Sequence, residues 1–289
     1  MQRKSCNNHK AVYQDGYTFP KRCANKNKGD VKKLATMKKR HFVDNYILNP
    51  YHKLTVDVIG CGGTGSQILT SLGRMNYALQ ELGHPGLSVT AYDADIVSPA
   101  NCGRQLFSEQ EIGTNKAETL VTKLNMFFGT DWDAVPNMYE EGNQPTSNLT
   151  ISCVDTAKAR IEISKCLAQT RNVDEHRQYY WLDFGNTTNT GQIILGTLRD
   201  IKQPKKKGCV GKLKTIAEWT DLSAIKDKDS GPSCSLAEAL TKQDLFINSA
   251  LCNAGCALLW KMFSCGVLDY QGVFLNLQNL KMNPLQIEG

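Results

Sequence analysis

The sequence predicts an α/β protein with a doubly wound, largely parallel sheet that gains antiparallel strands towards its C-terminal end. Three observations predict it. Short apolar runs alternate with segments of helical spacing from about residue 55 to residue 168, the pattern of βαβ units. The first run leads straight into the glycine-rich turn Gly60-Cys61-Gly62-Gly63-Thr64-Gly65. Farther on, two strand-like runs are separated only by a polar turn, which leaves no room for a crossover helix.

Taken in order, an apolar strand is expected at 55–59 and a long helix at 64–82, ended by His84-Pro85-Gly86. A second strand covers 88–92. Leu120, Leu124 and Phe127 give 116–128 a helical spacing, and a short strand follows at 133–135. Residues 150–154 read as a buried strand, and 156–168 as a helix carrying Ile161, Ile163 and Leu167. The runs 179–184 and 192–196 are the strand pair without a helix between them. Residues 202–232 are polar, rich in Lys, Asp and Gly, and contain Lys205-Lys206-Lys207; this stretch reads as a crossover loop or a mobile lid, reaching to residue 234. Ser235 and Glu238 form a capping-box pattern ahead of a helix that opens at Leu236. A long helix at 244–265, apolar on much of its surface, suggests a buried or dimer-facing element, and 270–282 reads as a last strand pair.

The chain has 289 residues, enough for one large domain. Its charge is uneven. Residues 1–40 hold 12 Lys/Arg against 2 Asp, whereas the remainder is net −4. Residues 1–40 therefore read as a basic, disordered tail and 41–289 as the folded domain. The tail is taken as a solvated extension; a nucleic-acid arm is the less favoured reading, and a true start at Met37 a third. No apolar leader or membrane-length run is seen, so a soluble, cytoplasmic protein is expected, with no membrane contact. Eleven cysteines in such a chain suggest reduced thiols. The five histidines (His9, His41, His52, His84, His176) have no ligand spacing and read as ordinary surface residues.

The candidate site starts at the glycines. Gly60 permits a tight turn, Gly62 lets backbone approach phosphate, and Gly65 lets the helix pack close to the strand, with Gly63 completing the cradle. Asp93, at the end of the second strand, is placed to bond ribose hydroxyls, with Asp95 nearby. It lies 28 residues after Gly65, whereas a dinucleotide enzyme has its acid at about 20. Asn101, Arg104, Gln105 and Lys116 follow. Hydride transfer has no need for an Arg and a Lys here. A triphosphate needs them to offset charge as pyrophosphate departs. Asp155 stands at the end of the third strand, a suitable place for a magnesium ligand.

These motifs (Gly-x-Gly-Gly-x-Gly, Asp-x-Asp, Asn-x-x-Arg-Gln, Gly-x-x-Lys and Val-Asp) resemble the ThiF/MoeB family, relatives of ubiquitin-activating enzymes, over residues 46–277. The phrases Gly-Gly-Thr-Gly-Ser-Gln, Gly-Arg-Gln-Leu-Phe-Ser and Pro-Ser-Cys-Ser are closest to the ThiF-like member of the PRTRC cassette. The resemblance implies a Rossmann-like adenylation fold, ATP and Mg²⁺ as cofactors, and adenylation of the C-terminus of a ubiquitin-like or sulfur-carrier protein. It implies that Asp93 holds the ribose, that Asn101, Arg104 and Gln105 line the phosphates, that Lys116 neutralises the α/β bridge, and that Asp155 holds Mg²⁺. A homodimer is implied, with Arg40 in the region that reaches the neighbouring protomer's triphosphate, and so is a conjugating-enzyme-like partner.

Cys234 lies just before the expected helix at Leu236, where a thiolate is stabilised by the helix terminus; it is the candidate nucleophile for a thioester or persulfide, and Cys209 is the second. A structural cysteine is the alternative. The family's paired Cys-x-x-Cys zinc ligands are missing, so no zinc is expected. Arg160, five residues after Asp155, reads as a surface or structural ion pair. Two other functions compete: an NAD(P)-dependent oxidoreductase, and a catalytically silent nucleotide-binding scaffold of a mobile-element system.

Overall fold

Eight strands form one sheet in the computed structural model, which describes residues 38–140, 147–169, 178–225 and 236–288 and a strand pair at Ala11–Val12 and Thr18–Phe19. They are β1 (Leu54–Ile59), β2 (Leu87–Tyr92), β3 (Asp133–Val135), β4 (Leu149–Ser152), β5 (Tyr180–Asn186), β6 (Thr190–Thr197), β7 (Tyr270–Asn276) and β8 (Lys281–Gln286). Their order across the sheet is β8-β7-β6-β5-β4-β1-β2-β3. The five strands β3-β2-β1-β4-β5 are parallel, and β6, β7 and β8 add to them antiparallel. This is the expected α/β architecture. The β5–β6 hairpin is where it changes from parallel to antiparallel.

The helices are α1 (Gly63–Glu81), α2 (Lys116–Phe128), α3 (Ala157–Gln169), α4 (Leu236–Lys242) and α5 (Ile247–Cys265). Side chains alternate across β5. Tyr180, Leu182 and Phe184 join the large core formed with Ile68, Leu72, Leu120, Leu259 and Met262 from α1, α2 and α5. Trp181 faces the other way, into a smaller core with Ile163, Cys166 and Leu167 of α3. Both faces are therefore covered, which is what a parallel sheet requires. Since α1 and α3 lie on opposite faces, the chain winds away in opposite directions from β1 and β4. The crevice at their carboxyl ends is the topological switch point.

The structure departs from the sequence reading in several places. Residues 38–40, counted with the tail, are paired to the body: the Arg40 N–H donates to the Gly208 carbonyl (2.8 Å), and the Val210 N–H to that of Arg40 (2.8 Å). His41–Phe42 pairs with Val267–Leu268, two strands too short to show as periodicity. His41 is not a surface residue but is fully buried, bonded through Nδ1 to the Val210 carbonyl (2.7 Å) and through Nε2 to the Tyr180 hydroxyl (2.9 Å). Its local sequence is polar, and burial comes from a partner 139 residues away. Residues 202–225 are not a free lid over their whole length. Gln203 bonds both the N–H and the carbonyl of Phe42, and Leu213 and Ile216 are buried. The rest of the excursion, with Cys234 and the Ser235 cap, lies outside the described residues. Seven described cysteines are free, and Cys265, which is disulfide-bonded, is one exception to the reduced thiols expected in place of a disulfide framework. β8 also runs on to Gln286, past the expected end at 282.

Candidate active site

The glycine turn leaves β1 and enters α1 at Gly63. Gly60 takes φ +90°, a left-handed conformation, and a β-carbon there would press on the Cys153 carbonyl. That carbonyl belongs to the turn after β4, so the two strand ends flanking the switch point touch. A β-carbon on Gly65 would overlap the Gly60 carbonyl oxygen, so the first turn of α1 packs directly on the turn that precedes it. The helix N-terminus, with its unpaired N–H groups, is thus presented at the carboxyl edge of the sheet.

Asp93 follows β2 and is tied into this turn. Its Oδ2 accepts from the Cys61 N–H at 2.6 Å, and its Oδ1 from the Asp95 N–H at 2.8 Å. Burial pushes its carboxyl up, and these two backbone bonds oppose the rise. Each oxygen keeps a lone pair for a further donor such as a ribose hydroxyl. Lys116 opens α2, whose N-cap is Asn115; the Asn115 amide also donates to the Asp93 carbonyl (2.8 Å). The buried Lys116 ammonium lies 2.8 Å from the exposed Asp95 carboxylate.

Arg104 and Gln105 lie against the glycines. A β-carbon on Gly63 would be 3.4 Å from an Arg104 terminal nitrogen, and one on Gly62 3.9 Å from the Gln105 amide nitrogen. The Arg104 Nη1 donates to the Gln243 side-chain oxygen, while its Nε is buried without a partner among the described residues. Gln105 Oε1 is likewise buried and has no partner among the described residues. Burial lowers the Arg104 pKa, but a guanidinium remains a cation at neutral pH. Asn101 lies in the loop just before Arg104. Its side-chain oxygen accepts from the N–H (2.8 Å) and hydroxyl (3.0 Å) of Ser98, so it shapes the loop that presents Arg104.

Sequence reasoning missed three residues of the site. Asn248, in the first turn of α5, is buried and accepts from the Thr64 hydroxyl at 3.1 Å. Its amide nitrogen donates to Gln243 at 3.2 Å, and a β-carbon on Gly63 would collide with it. Thr64, Asn248, Gln243 and Arg104 are thus one chain of contacts over the glycine turn. The available cue was a polar residue at the start of an otherwise apolar helix.

Asp155 is exposed and makes no hydrogen bond or ion pair among the described residues. It stands at a cleft of ≈ 470 Å³ lined also by Asn186, Thr187, Gln192, Phe274 and Asn283, on the antiparallel half of the sheet. Its loop is anchored by Arg160. The Arg160 Nε lies 3.0 Å from Asp183 Oδ1, and its Nη2 donates to the carbonyls of Val154 (2.6 Å) and Phe184 (2.7 Å). Of the two readings expected of it, a surface or a structural ion pair, Arg160 is the structural one. Among the described residues no group of three or more His, Cys, Asp or Glu side chains could hold a metal, and no helix is long and apolar enough to cross a membrane. Arg40 pairs with Asp269 of its own chain at 2.9 Å.

The family model for ThiF matches residues 43–241, well over half of the sequence. The chain belongs to the ThiF family. No curated protein sequence matches it. Among solved structures, it is similar to E. coli MccB at 15% identity and a TM-score of 0.52, over 83% of this chain and 63% of that one. A structure of E. coli MccB with ATP is similar at 14% identity and a TM-score of 0.50, over 83% and 65%. PaaA is similar at 12% identity and a TM-score of 0.54, over 81% and 73%. At these identities the likeness is one of fold, and this ThiF-family chain spans under two thirds of MccB. The matched region contains every predicted site residue, from Gly60 to Cys234.

Proposed function

We propose that the chain is an ATP-dependent adenylyltransferase that activates the C-terminal carboxylate of a peptide or small protein. The observation that carries this reading is the placement of two cations, Arg104 and Lys116, beside the glycine turn and beyond Asp93, with the Arg104 Nε buried and unbonded among the described residues. Membership of the ThiF family supports it, as does the fold shared with MccB, which has been solved with ATP and with MccA. The finer reading is a ubiquitin-like or sulfur-carrier protein as substrate and a homodimer as the working form, with a conjugating-enzyme-like protein downstream. The assignment to the PRTRC branch rests on the sequence phrases alone.

In this reading Asp93 accepts from the ribose, and the α1 N-terminus with Arg104 and Gln105 holds the phosphates. A carboxylate oxygen of the substrate attacks the α-phosphorus. The new O–P bond forms as the bond from the α-phosphorus to the α/β-bridging oxygen breaks, and pyrophosphate leaves with that electron pair. Lys116 turns from Asp95 to offset the charge on the departing group. No side-chain base is needed, because the nucleophile is already ionised; alignment and electrostatics carry the step. Asp155, exposed and unpaired, is the residue that would hold Mg²⁺, which binds through one or two carboxylates with water and phosphate oxygens. When bound, the ion supplies positive charge to the triphosphate. The Cys234 thiolate is the proposed acceptor in a second step, attacking the acyl carbon and releasing AMP.

Thermal melting tests the nucleotide site. Mg·ATP should raise the melting temperature of the wild type, by a stabilisation of about 2.7 kcal/mol at a hundred times the dissociation constant. Lys116→Ala and Asp155→Ala should lose most of that shift, and NAD should give none. A shift with NAD alone would return the chain to the oxidoreductases. ATP–pyrophosphate exchange with candidate carrier proteins then tests the chemistry. A nucleotide-binding chain that exchanges with none of them would favour the silent scaffold.

A further inference from the structure

Two thiols of α5 adjoin one another across a single helical turn. Cys252 and Cys256 are four residues apart, and their sulfurs lie 3.8 Å from each other. Both are free. Here α5 packs on α1, whose Ser71 hydroxyl lies 3.5 Å from the Cys252 sulfur. Cys252 is buried, whereas Cys256 is half-buried and gives the pair a path to solvent. Cys252 is the more acidic of the two. The Cys256 thiol donating to it lowers its pKa, and the Ser71 hydroxyl and the Arg74 charge add to that effect against burial. The same bond, followed by burial, raises Cys256.

Spacing on the helix decides what such a pair can do. A disulfide needs its sulfurs at about 2.05 Å and its β-carbons within about 4.5 Å. Residues four apart on an intact helix hold their β-carbons about 5–6 Å apart, which is too far. A single atom between the sulfurs fits without moving the backbone: with bonds of about 2.3 Å to each, sulfurs 3.8 Å apart subtend about 110° at it. Soft thiolates select Cu(I), zinc and iron–sulfur clusters. A structural zinc takes four protein ligands, and a cluster four thiolates. Among the described residues no third His, Cys, Asp or Glu side chain completes such a group. Cu(I) needs fewer ligands. We propose that Cys252 and Cys256 bind one Cu(I) ion as a pair of thiolates, with the Ser71 hydroxyl donating to the Cys252 sulfur. Two S–H bonds break and their protons pass to water as two Cu–S bonds form, with no change of oxidation state. The proposal is independent of the adenylation reading, since it uses none of the residues placed at the glycine turn.

The test titrates Cu(I) into the full chain, with reductant removed and air excluded, in competition with bicinchoninate, whose coloured complex reports the ion it holds. The wild type should withhold one equivalent that Cys252→Ser and Cys256→Ser each lose, since both sulfurs are needed. Ser71→Ala removes only a bond to a ligand and should weaken that equivalent about tenfold, whereas loss of either sulfur should exceed about 100-fold. Cys102→Ser/Cys209→Ser removes two thiols elsewhere and should keep the equivalent. Circular dichroism must show each variant folded; where a serine variant is not, alanine replaces serine at that position. Trypsin releases residues 243–261, which contain Cys252 and Cys256 and no other cysteine. After the native chain meets phenylarsine oxide in excess 2-mercaptoethanol, that peptide should carry one phenylarsenic group joining both sulfurs, with loss of water. The proposal is overturned by any of five results: the equivalent surviving in either single cysteine variant, an equal loss in Cys102→Ser/Cys209→Ser, Zn(II) held more tightly than Cu(I), no arsenic on residues 243–261, or an internal disulfide in that peptide after mild peroxide.

Discussion

Gly65 stands against Gly60 so closely that the first turn of α1 has no room for a single methyl group between them. The obstacle is backbone on both sides, which cannot swing away as a side chain would. Gly65→Ala should therefore destabilise the fold by more than about 3 kcal/mol, measured by urea denaturation. Gly83 is the comparison. It has φ +85° but open space around it, so Gly83→Ala should cost only about 1 kcal/mol of backbone strain. Equal costs would mean that the close approach does not matter.

Asn248 joins the start of α5 to the glycine turn, and its removal has two separable effects. Asn248→Ala leaves the buried Thr64 hydroxyl and the Gln243 amide without this partner and should cost about 1–3 kcal/mol. Gln243→Ala, at a less buried position, should cost under about 1 kcal/mol. Both should nevertheless shrink the thermal shift given by Mg·ATP, because both release Arg104 from the position over Gly63. A full nucleotide shift in Gln243→Ala would show that Arg104 positions itself without help.

The Arg160–Asp183 pair is sealed from solvent, with side-chain exposures of 9% and 1%. Breaking it from one side strands a charge. Arg160→Met should cost about 3–5 kcal/mol in chemical denaturation. Adding Asp183→Asn removes the stranded charge and keeps an acceptor for the Ser152 hydroxyl, so much of the loss should return. A double variant no more stable than Arg160→Met alone would show that the carbonyl contacts of Arg160, not its charge, hold the Asp155 loop.

Two buried groups with opposite pH dependence share one window. Burial raises the Asp57 carboxyl to about 6, so the stability tied to its neutral form is present below about 4 and is lost as pH rises through 6. Burial lowers His41 to about 4, so the stability tied to its neutral ring is present above about 6.5 and is lost as pH falls towards 4. The two slopes oppose each other. Between pH 4 and 6.5, Asp57→Asn should expose a stability that rises with pH, and His41→Gln one that falls, each by up to about 3 kcal/mol. Parallel slopes in both variants would place the titration elsewhere.

The parts of this site legible in the sequence are local ones. The glycine turn, Asp93 and Lys116 sit at strand ends and a helix start that hydrophobic periodicity locates to within a residue or two. The Asn248–Gln243 clamp was not legible, because it depends on α5 returning to α1 across 184 residues from Thr64. His41 failed for the same reason: a short polar stretch is buried by a distant β5 tyrosine. Asp183 was hidden inside the apolar run Tyr180-Trp181-Leu182-Asp183-Phe184, where only the placement of Arg160 reveals that an acid is needed.

Both margins of the sheet are poor templates for another strand. β3 is three residues long and begins with Asp133. β8 carries Lys281 at its start and Pro284, opposite Val273, in its middle, where the missing N–H interrupts any outward ladder. An eight-stranded sheet with open edges invites chains to stack through their backbones into fibres. Here that route is closed at both ends, so misassembly during expression at high concentration should come from exposed side chains such as Met126 and Phe127 and not from strand exchange.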